Sequence, residues 1–372
     1  MKYCCRCILP DTRPNLVLDN GGVCSACRAF ETRPAVDWAA REEALRRVFE
    51  RAKARSRGYD CLIPVSGGKD STWQTVKCLE YGLKPLCVTW KTPARTPVGQ
   101  RNLDNLVALG VDHIDYQISP EVERRFMYQA LVRFGSTGIP MHMAIFSIPP
   151  KLACVLRIPL VVWGENSAFE YGNPADVNTG FELDAAWLRR YGVTHGTTAR
   201  DWVGPELTEK DLTPYFGPTE EDLARHRPQA IFLGYYLPWD VALTRDVALA
   251  HGFQPRAEGA KTGLYDYADI DCDFISIHHY FKWLKFGFTR LFDNLSLEIR
   301  AGRVTREQAL RILRERGAAP PHDDITRFCC FLGITVDRFW EIAETFRNPR
   351  IWFLENGVWK LRDFLIPDWC WQ

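Results

Sequence analysis

From residue 60 onward, apolar runs of strand length alternate with stretches of helical period. Runs at 60–65, Pro85–Trp90, His113–Ile118, Pro159–Trp163 and Ala230–Tyr235 read as strands. The first, second and fourth are almost continuously apolar, which suits parallel strands covered on both faces. Between and after them, segments 71–81, 97–109, 121–134, 142–156 and 219–227 carry the apolar period of helices. The alternation predicts an α/β fold: a doubly wound, mainly parallel five-stranded sheet that binds ligands at the carboxyl ends of its strands.

The pattern changes at both ends. A charged helix is expected over 37–57, ending near Gly58. Its Arg41, Arg46, Arg47, Arg51, Arg55 and Arg57 interleave with Glu42, Glu43 and Glu50, the mark of a solvated face rather than a phosphate patch. Beyond 255 the chain reads as mainly helical. Thr305 and Gln308 have the spacing of a capping box opening a helix over 306–316, and Thr335 caps another over 336–346. The second of these presents Phe339, Trp340 and Ile342, which look like core, so a DNA-reading helix pair is not expected. The tail, with Trp352, Trp359, Trp369 and Trp371, is expected to pack back on the sheet domain. The stretch 165–228 is too long for a simple connection and is rich in Gly, Asn, Asp and Tyr, as a substrate-binding insertion would be. The expected units are 1–32, 33–255 and 256–372.

Composition narrows the class. An apolar share of 46% with 25% charged residues belongs to a globular protein, and a net charge of +1 supplies no general attraction to nucleic acid. No apolar run reaches the length expected of a membrane span. Four of the thirteen cysteines are paired by spacing, the others are not, and no secretory signal precedes the first pair. A reducing, cytoplasmic compartment is the expectation.

Two motifs carry chemistry. The strand over 60–65 runs into Ser66-Gly67-Gly68-Lys69-Asp70-Ser71, and a helical period follows at once. Paired glycines between a buried strand and a helix start let the backbone approach an anion, which the free amides and the positive dipole end then hold. The serines add hydroxyls, Lys69 a positive charge, and Asp70 a ligand for Mg²⁺. The spacing is not that of the NTPase P-loop, G-x-x-x-x-G-K-[ST]. At the N-terminus, Cys4-x-x-Cys7 is followed by sixteen residues and then Cys24-x-x-Cys27, the spacing of a four-thiolate zinc ribbon. Gly21-Gly22 supply the turn before the second pair, and Cys5 could replace Cys4. Four thiolates leave no open coordination position, so the metal is expected to be structural.

The first motif resembles the SGGxDS pyrophosphate (PP) loop of the N-type ATP pyrophosphatases, which transfer AMP to a substrate oxygen. Further stretches resemble one branch of that superfamily, the N-acetyl sugar amidotransferases of lipopolysaccharide and O-antigen biosynthesis. They are the two-knuckle ribbon, Val88-Thr89-Trp90-Lys91, Gly164-Glu165-Asn166 with Glu170-Tyr171-Gly172-Asn173, Tyr235-Tyr236-Leu237-Pro238-Trp239-Asp240, Lys285-Phe286-Gly287-Phe288-Thr289-Arg290, Glu298-Ile299-Arg300-Ala301-Gly302 and the Thr305-Arg306-Glu307 helix start. Thr289 stands where glycine is expected.

The resemblance implies ATP, Mg²⁺ and Zn²⁺ as cofactors and a nucleotide-linked N-acetylated sugar, with UDP the expected carrier. AMP would be attached to an acetamido oxygen or a carboxylate, and ammonia would then displace it, leaving an acetamidino or uronamide group. It implies Lys69 and Asp70 as catalytic residues. Ser66, Gly67, Gly68, Ser71, Thr89, Trp90 and Gly164 would complete the ATP site. Glu165, Asn166, Glu170, Tyr171 and Asn173 would contact the sugar. His278, His279, Lys282, Lys285 and Arg290 form a basic group for substrate phosphates or a uronate, although a packed helix with a solvated basic face reads almost as well. No cysteine has the setting of a glutaminase nucleophile, so ammonia is expected from a separate glutaminase with a barrel-shaped channelling companion. The alternative is a tRNA thiolase of the same superfamily, which would need catalytic cysteines and a basic surface.

Overall fold

The structure is a computed structural model that describes residues 1–32, 35–164 and 194–371. Its centre is a five-stranded parallel sheet of β1 (Cys61–Pro64), β2 (Pro85–Trp90), β3 (Asp112–Tyr116), β4 (Leu160–Trp163) and β5 (Gln229–Phe232). The strand order is β3-β2-β1-β4-β5, so the winding direction reverses between β1 and β4, where such sheets leave a crevice for ligands. Strands β1, β2 and β4 are buried on both faces, as their apolar runs require, whereas β3 at the edge is mostly half-exposed.

Helix α1 (Ser25–Glu31) belongs to the cysteine ribbon, and one face of the sheet is covered by α2 (Trp38–Arg55), α3 (Lys69–Glu80) and α4 (Pro97–Val107), whose Phe49, Trp73 and Leu103 pack on Ile63, Cys87 and Val162. The other face carries α5 (Pro120–Phe134) and α6 (Gly138–Leu156), which place Phe126, Met143 and Ile148 against Leu62, Val88 and Val161. Helix α6 begins four residues earlier than expected. It is also long and apolar enough to cross a membrane by composition, contrary to the sequence reading, but half of it is buried inside this core. Strand β5 is shorter than expected. After α7 (Glu220–His226) it runs to Phe232 and turns at once into α8 (Leu233–Tyr236), followed by α9 (Val241–Ala250).

On α2, Arg46 and Arg47 pair with Glu42 and Glu43 at i,i+4 on a solvated face. Arg41 departs from that face: it donates to the Tyr235 carbonyl at 2.8 Å, and its guanidinium lies 3.9 Å from the Tyr235 ring centroid.

The C-terminal region holds α10 (Ile275–Phe286), α11 (Arg290–Arg300), α12 (Arg306–Arg316), α13 (His322–Leu332) and α14 (Val336–Thr345). The Thr305 capping box and the Thr335 cap form as their spacing demands, and Phe339 and Ile342 are core. An antiparallel hairpin of β6 (Trp352–Glu355) and β7 (Val358–Leu361) was not visible in the sequence. The tail does not lie on the sheet: Trp352 packs on Trp283, and Trp369 on Trp283 and Phe364. Its partners are α10 and the cysteine ribbon, because those surfaces carry the apolar residues left uncovered by the helices.

Candidate active site

The loop after β1 is built for a close backbone approach. Val65 still donates its N–H to Val88 O at 2.9 Å, and the chain then leaves the sheet. Gly67 has φ +82°, and a Cβ on it would lie 2.6 Å from the Leu103 backbone nitrogen on α4, so only glycine fits. Gly68 caps α3 with no side-chain hydrogen bond. Its N–H reaches Ser66 Oγ at 3.2 Å, while its carbonyl accepts from Ser71 Oγ at 3.0 Å and Thr72 Oγ1 at 3.1 Å. These bonds hold the turn from below and leave the first amides of α3 for an anion.

The helix expected from 71 begins two residues earlier, so Lys69 and Asp70 are not in the loop but form the first turn of α3. Helix formation begins directly after the glycine cap, which draws Lys69 inward until its residue is only 7% exposed. Its ammonium pairs with the Asp70 carboxylate.

Ser66, Asp70, Ser71, Trp90, Trp163 and Gly164 line one cavity of about 220 Å³, walled by Ala144, Ile145, Ile148 and Pro149 of α6. It lies where the winding reverses. Gly164 is needed there, because a Cβ would fall 2.9 Å from Gln74 Oε1, and the Gln74 amide donates to Val162 O, tying α3 to β4. The indole N–H of Trp163 is buried with no partner among the described residues, a donor left over for a ligand. A glycine-only anion loop, apolar walls, two indoles and one orphan donor fit ATP. Asp70 is the carboxylate among the lining residues; it would hold Mg²⁺, which would neutralise phosphate charge.

Thr89 is adjacent but does not line the cavity: its hydroxyl donates to Val65 O at 2.7 Å and lies 2.9 Å from His113 Nε2. Glu165, Asn166, Glu170, Tyr171 and Asn173 lie outside the described residues.

The five basic residues are not a solvated face. Lys282 pairs with Asp293, Arg290 with Asp269 at 3.1 Å, and Lys285 donates to the carbonyls of Phe134 and Gly135. His279 Nδ1 contacts Thr262 Oγ1 at 2.9 Å. Burial drives the group: it takes the His279 imidazolium down to about 3, lowers His278 well below its ordinary value, and takes Lys285 down to about 8. Both histidines are therefore neutral near pH 7. His279 and Arg290 line a separate cavity, while Lys282 and Lys285 do not.

Sequence reasoning missed Glu123. It is 2% exposed and accepts the Trp90 indole N–H at 2.7 Å, fixing the ring that lines the cavity beside Ser66 and Gly164. Burial pushes its carboxyl up to about 8, against the lowering effect of the indole bond. The only signal was a Glu on the apolar stripe of α5, with Val122 and Phe126. Because the folded chain holds this proton more tightly than the unfolded one, stability should fall as pH rises from about 4.5 to about 8. Thermal melts of Glu123→Gln should therefore exceed wild type at pH 8, by an amount on the order of a few kcal/mol, and converge with it near pH 4.5. Parallel curves across that range would contradict the assignment.

The ribbon places Cys4, Cys7, Cys24 and Cys27 with all four sulfurs within 4.8 Å of one another. Cys4 and Cys27 sulfurs are 4.0 Å apart, and those of Cys7 and Cys24 are 3.7 Å apart. A tetrahedral Zn–S bond length sets sulfurs about 3.8 Å apart, so the geometry fits one ion and no disulfide. Backbone N–H groups of Cys24 and Cys27 point at Cys4 and Cys24 sulfurs, at 3.2 and 3.4 Å, as in a thiolate knuckle. Cys5 is exposed and bonds Gly21 O instead.

A parallel sheet wound in this order, with a Ser-Gly-Gly-Lys-Asp-Ser loop running from β1 into α3 at the switch point, is an α/β fold with an anion-binding turn in its ligand crevice. Residues 243–365 match the family model described as LPS biosynthesis protein WbpG-like, C-terminal domain, and this supports the family read from the sequence. A solved structure that matches is NMN synthetase from Francisella tularensis, at 11% identity and a TM-score of 0.38, over 79% of this chain and 96% of that one. No curated protein matches the chain.

Proposed function

We propose that this protein is an ATP-dependent amidotransferase acting on a nucleotide-linked N-acetylated sugar. The coarser reading, an ATP-using enzyme of lipopolysaccharide biosynthesis, is supported by the family match and the loop together. The observation that carries the ATP half is Gly67, which brings the loop onto α4 with an uncapped helix start beyond it. The acetamido oxygen or carboxylate of the sugar attacks the α-phosphorus, the bond to the β-phosphate breaks and pyrophosphate leaves. Ammonia adds to the activated carbon, loses a proton, and AMP departs with the oxygen. Lys69 and the loop amides hold the leaving pyrophosphate, so catalysis is positioning and charge neutralisation. The thiolase alternative is disfavoured by Cys272, which sits beside Thr92 Oγ1 with its thiol pushed up to about 12 by burial.

The test is AMP and pyrophosphate release with candidate UDP-N-acetylated sugars, ATP and ammonium, with the sugar followed by mass spectrometry. Ammonium should serve alone, and turnover should climb toward pH 9 as the fraction of free ammonia grows. Glutamine should serve only with an added glutaminase. Glutamine hydrolysis by the single chain, or AMP release driven by tRNA instead, would overturn this reading.

A further inference from the structure

Outside the ATP cleft, the C-terminal region holds two adjoining cavities of about 260 and 540 Å³, which share Ala260 and Arg316. The smaller is lined by Lys261, Thr262, His279, Thr289, Arg290 and Arg316, among others, and by no carboxylate among the described residues. Its rim is the loop Gly259-Ala260-Lys261-Thr262-Gly263, with φ +85° and +66° at its two glycines. A Cβ on Gly263 would come within 2.2 Å of Asn294 Oδ1 and 2.9 Å of Arg290 Cγ, so this loop is pressed against side chains near the start of α11.

Three kinds of donor meet there. Thr289 N-caps α11 without a side-chain cap bond, and its hydroxyl is buried with no partner among the described residues. The neutral His279 and the Thr262 hydroxyl form a second polar pair. The third kind is cationic. Lys261 brings Asp273 and Asp324 as partners, at 2.6 and 3.0 Å, and Arg290 brings Asp269. Arg316 donates to Gly263 O at 3.4 Å and has no carboxylate partner among the described residues. An acid-free lining with hydroxyls, a helix start and a spare guanidinium favours a polyanion with several oxygens over a single carboxylate. The larger cavity, with Tyr265, Glu298 and Arg303 in its wall, gives the remainder of such a ligand polar contacts. Together the volumes fall within the range of small-molecule sites.

The cavity also stands one ligand length from the ATP cleft. His279 and His278 rings are 5.7 Å apart, and His278 lies against Gly138 at the start of α6. Six residues on, about 9 Å of helix rise, Ala144 lines the ATP cleft.

We propose that these cavities hold the nucleotide end of the sugar substrate: its diphosphate on the Gly259–Gly263 loop and the start of α11, its nucleoside in the larger cavity. This rests on the nucleotide-sugar reading above.

Calorimetry on the full chain with UDP, UMP, pyrophosphate and ATP tests it. Arg316 is exposed and Thr289→Val conserves volume, so Arg316→Gln and Thr289→Val should fold normally. Each should weaken UDP binding about tenfold or more and change ATP affinity less than twofold. Lys69→Met should do the reverse. UDP affinity unchanged in both C-terminal variants, or lost in Lys69→Met, would refute the site. Pyrophosphate binding as tightly as UDP and equally sensitive to Arg316→Gln would refute its assignment to a nucleotide. UDP binding with this variant pattern, but no AMP release with any nucleotide sugar, would uphold the site and remove the amidotransfer reading. Amidation by an Arg316→Gln chain with wild-type UDP affinity would do the opposite.

Discussion

Lys69→Met and Asp70→Asn should each lower ATP-dependent turnover by about 10²–10³, the usual loss when one charge contact to a transition state is removed. Methionine is the informative replacement at 69. The side chain is buried in the first turn of α3, so alanine would open a void and confuse a catalytic effect with a packing one. Asparagine at 70 keeps the shape while removing the charge that pairs with Lys69 and would bind Mg²⁺. Single-turnover AMP formation, read beside thermal melts, separates chemistry from folding. Near-normal turnover in both variants would mean that the loop does not carry the phosphates.

Loss of the ribbon metal should have the largest effect on stability. Chelation or Cys7→Ser should take zinc from one ion per chain to none and lower the melting temperature sharply, since structural zinc contributes apparent binding energies of about 10–16 kcal/mol in small domains. The effect should not stay local. Ile8, Leu9, Leu16 and Val23 of the ribbon share one apolar cluster with Phe288, Leu291, Phe292 and Leu295 around α11. Arg13 reaches into the same helix, 3.0 Å from Asp293, and Thr12 bonds Phe286 O. Elemental analysis with calorimetry decides the matter: a metal-free chain that melts as the native one does would remove zinc from the account.

What the sequence disclosed was whatever sits close together along it. The two cysteine pairs, the Ser66–Ser71 loop and the apolar runs of β1, β2 and β4 are local patterns with one structural solution. Those elements stand where they were expected, and three of the loop residues, Ser66, Asp70 and Ser71, line the cleft with Trp90 and Gly164, while Gly67, Gly68 and Lys69 do not. What stayed hidden was set by residues far apart in the chain. His279, Lys282 and Arg290 read as a basic group for substrate phosphates, or as a solvated basic face, because their partners Thr262, Asp293 and Asp269 lie on other segments of the chain. The glycines at 259 and 263 carried no strand-to-helix context, so nothing local distinguished their loop from an ordinary turn. The β6–β7 hairpin escaped for a similar reason: its Trp352 owes its burial to Trp283 rather than to an alternating pattern of its own.

The docking of the ribbon on helices far along the chain sets an order on biosynthesis. Arg306 bonds Cys7 O at 3.1 Å and Thr12 bonds Phe286 O, so the ribbon is seated by residues made much later in the chain. While the ribosome works through the intervening chain, the nascent ribbon has no apolar surface to dock on. Early capture of zinc would let it wait in a folded form. A ribosome-bound chain stalled before residue 286 should then hold zinc yet remain open to protease at the ribbon, and become resistant only after α11 and the tail emerge.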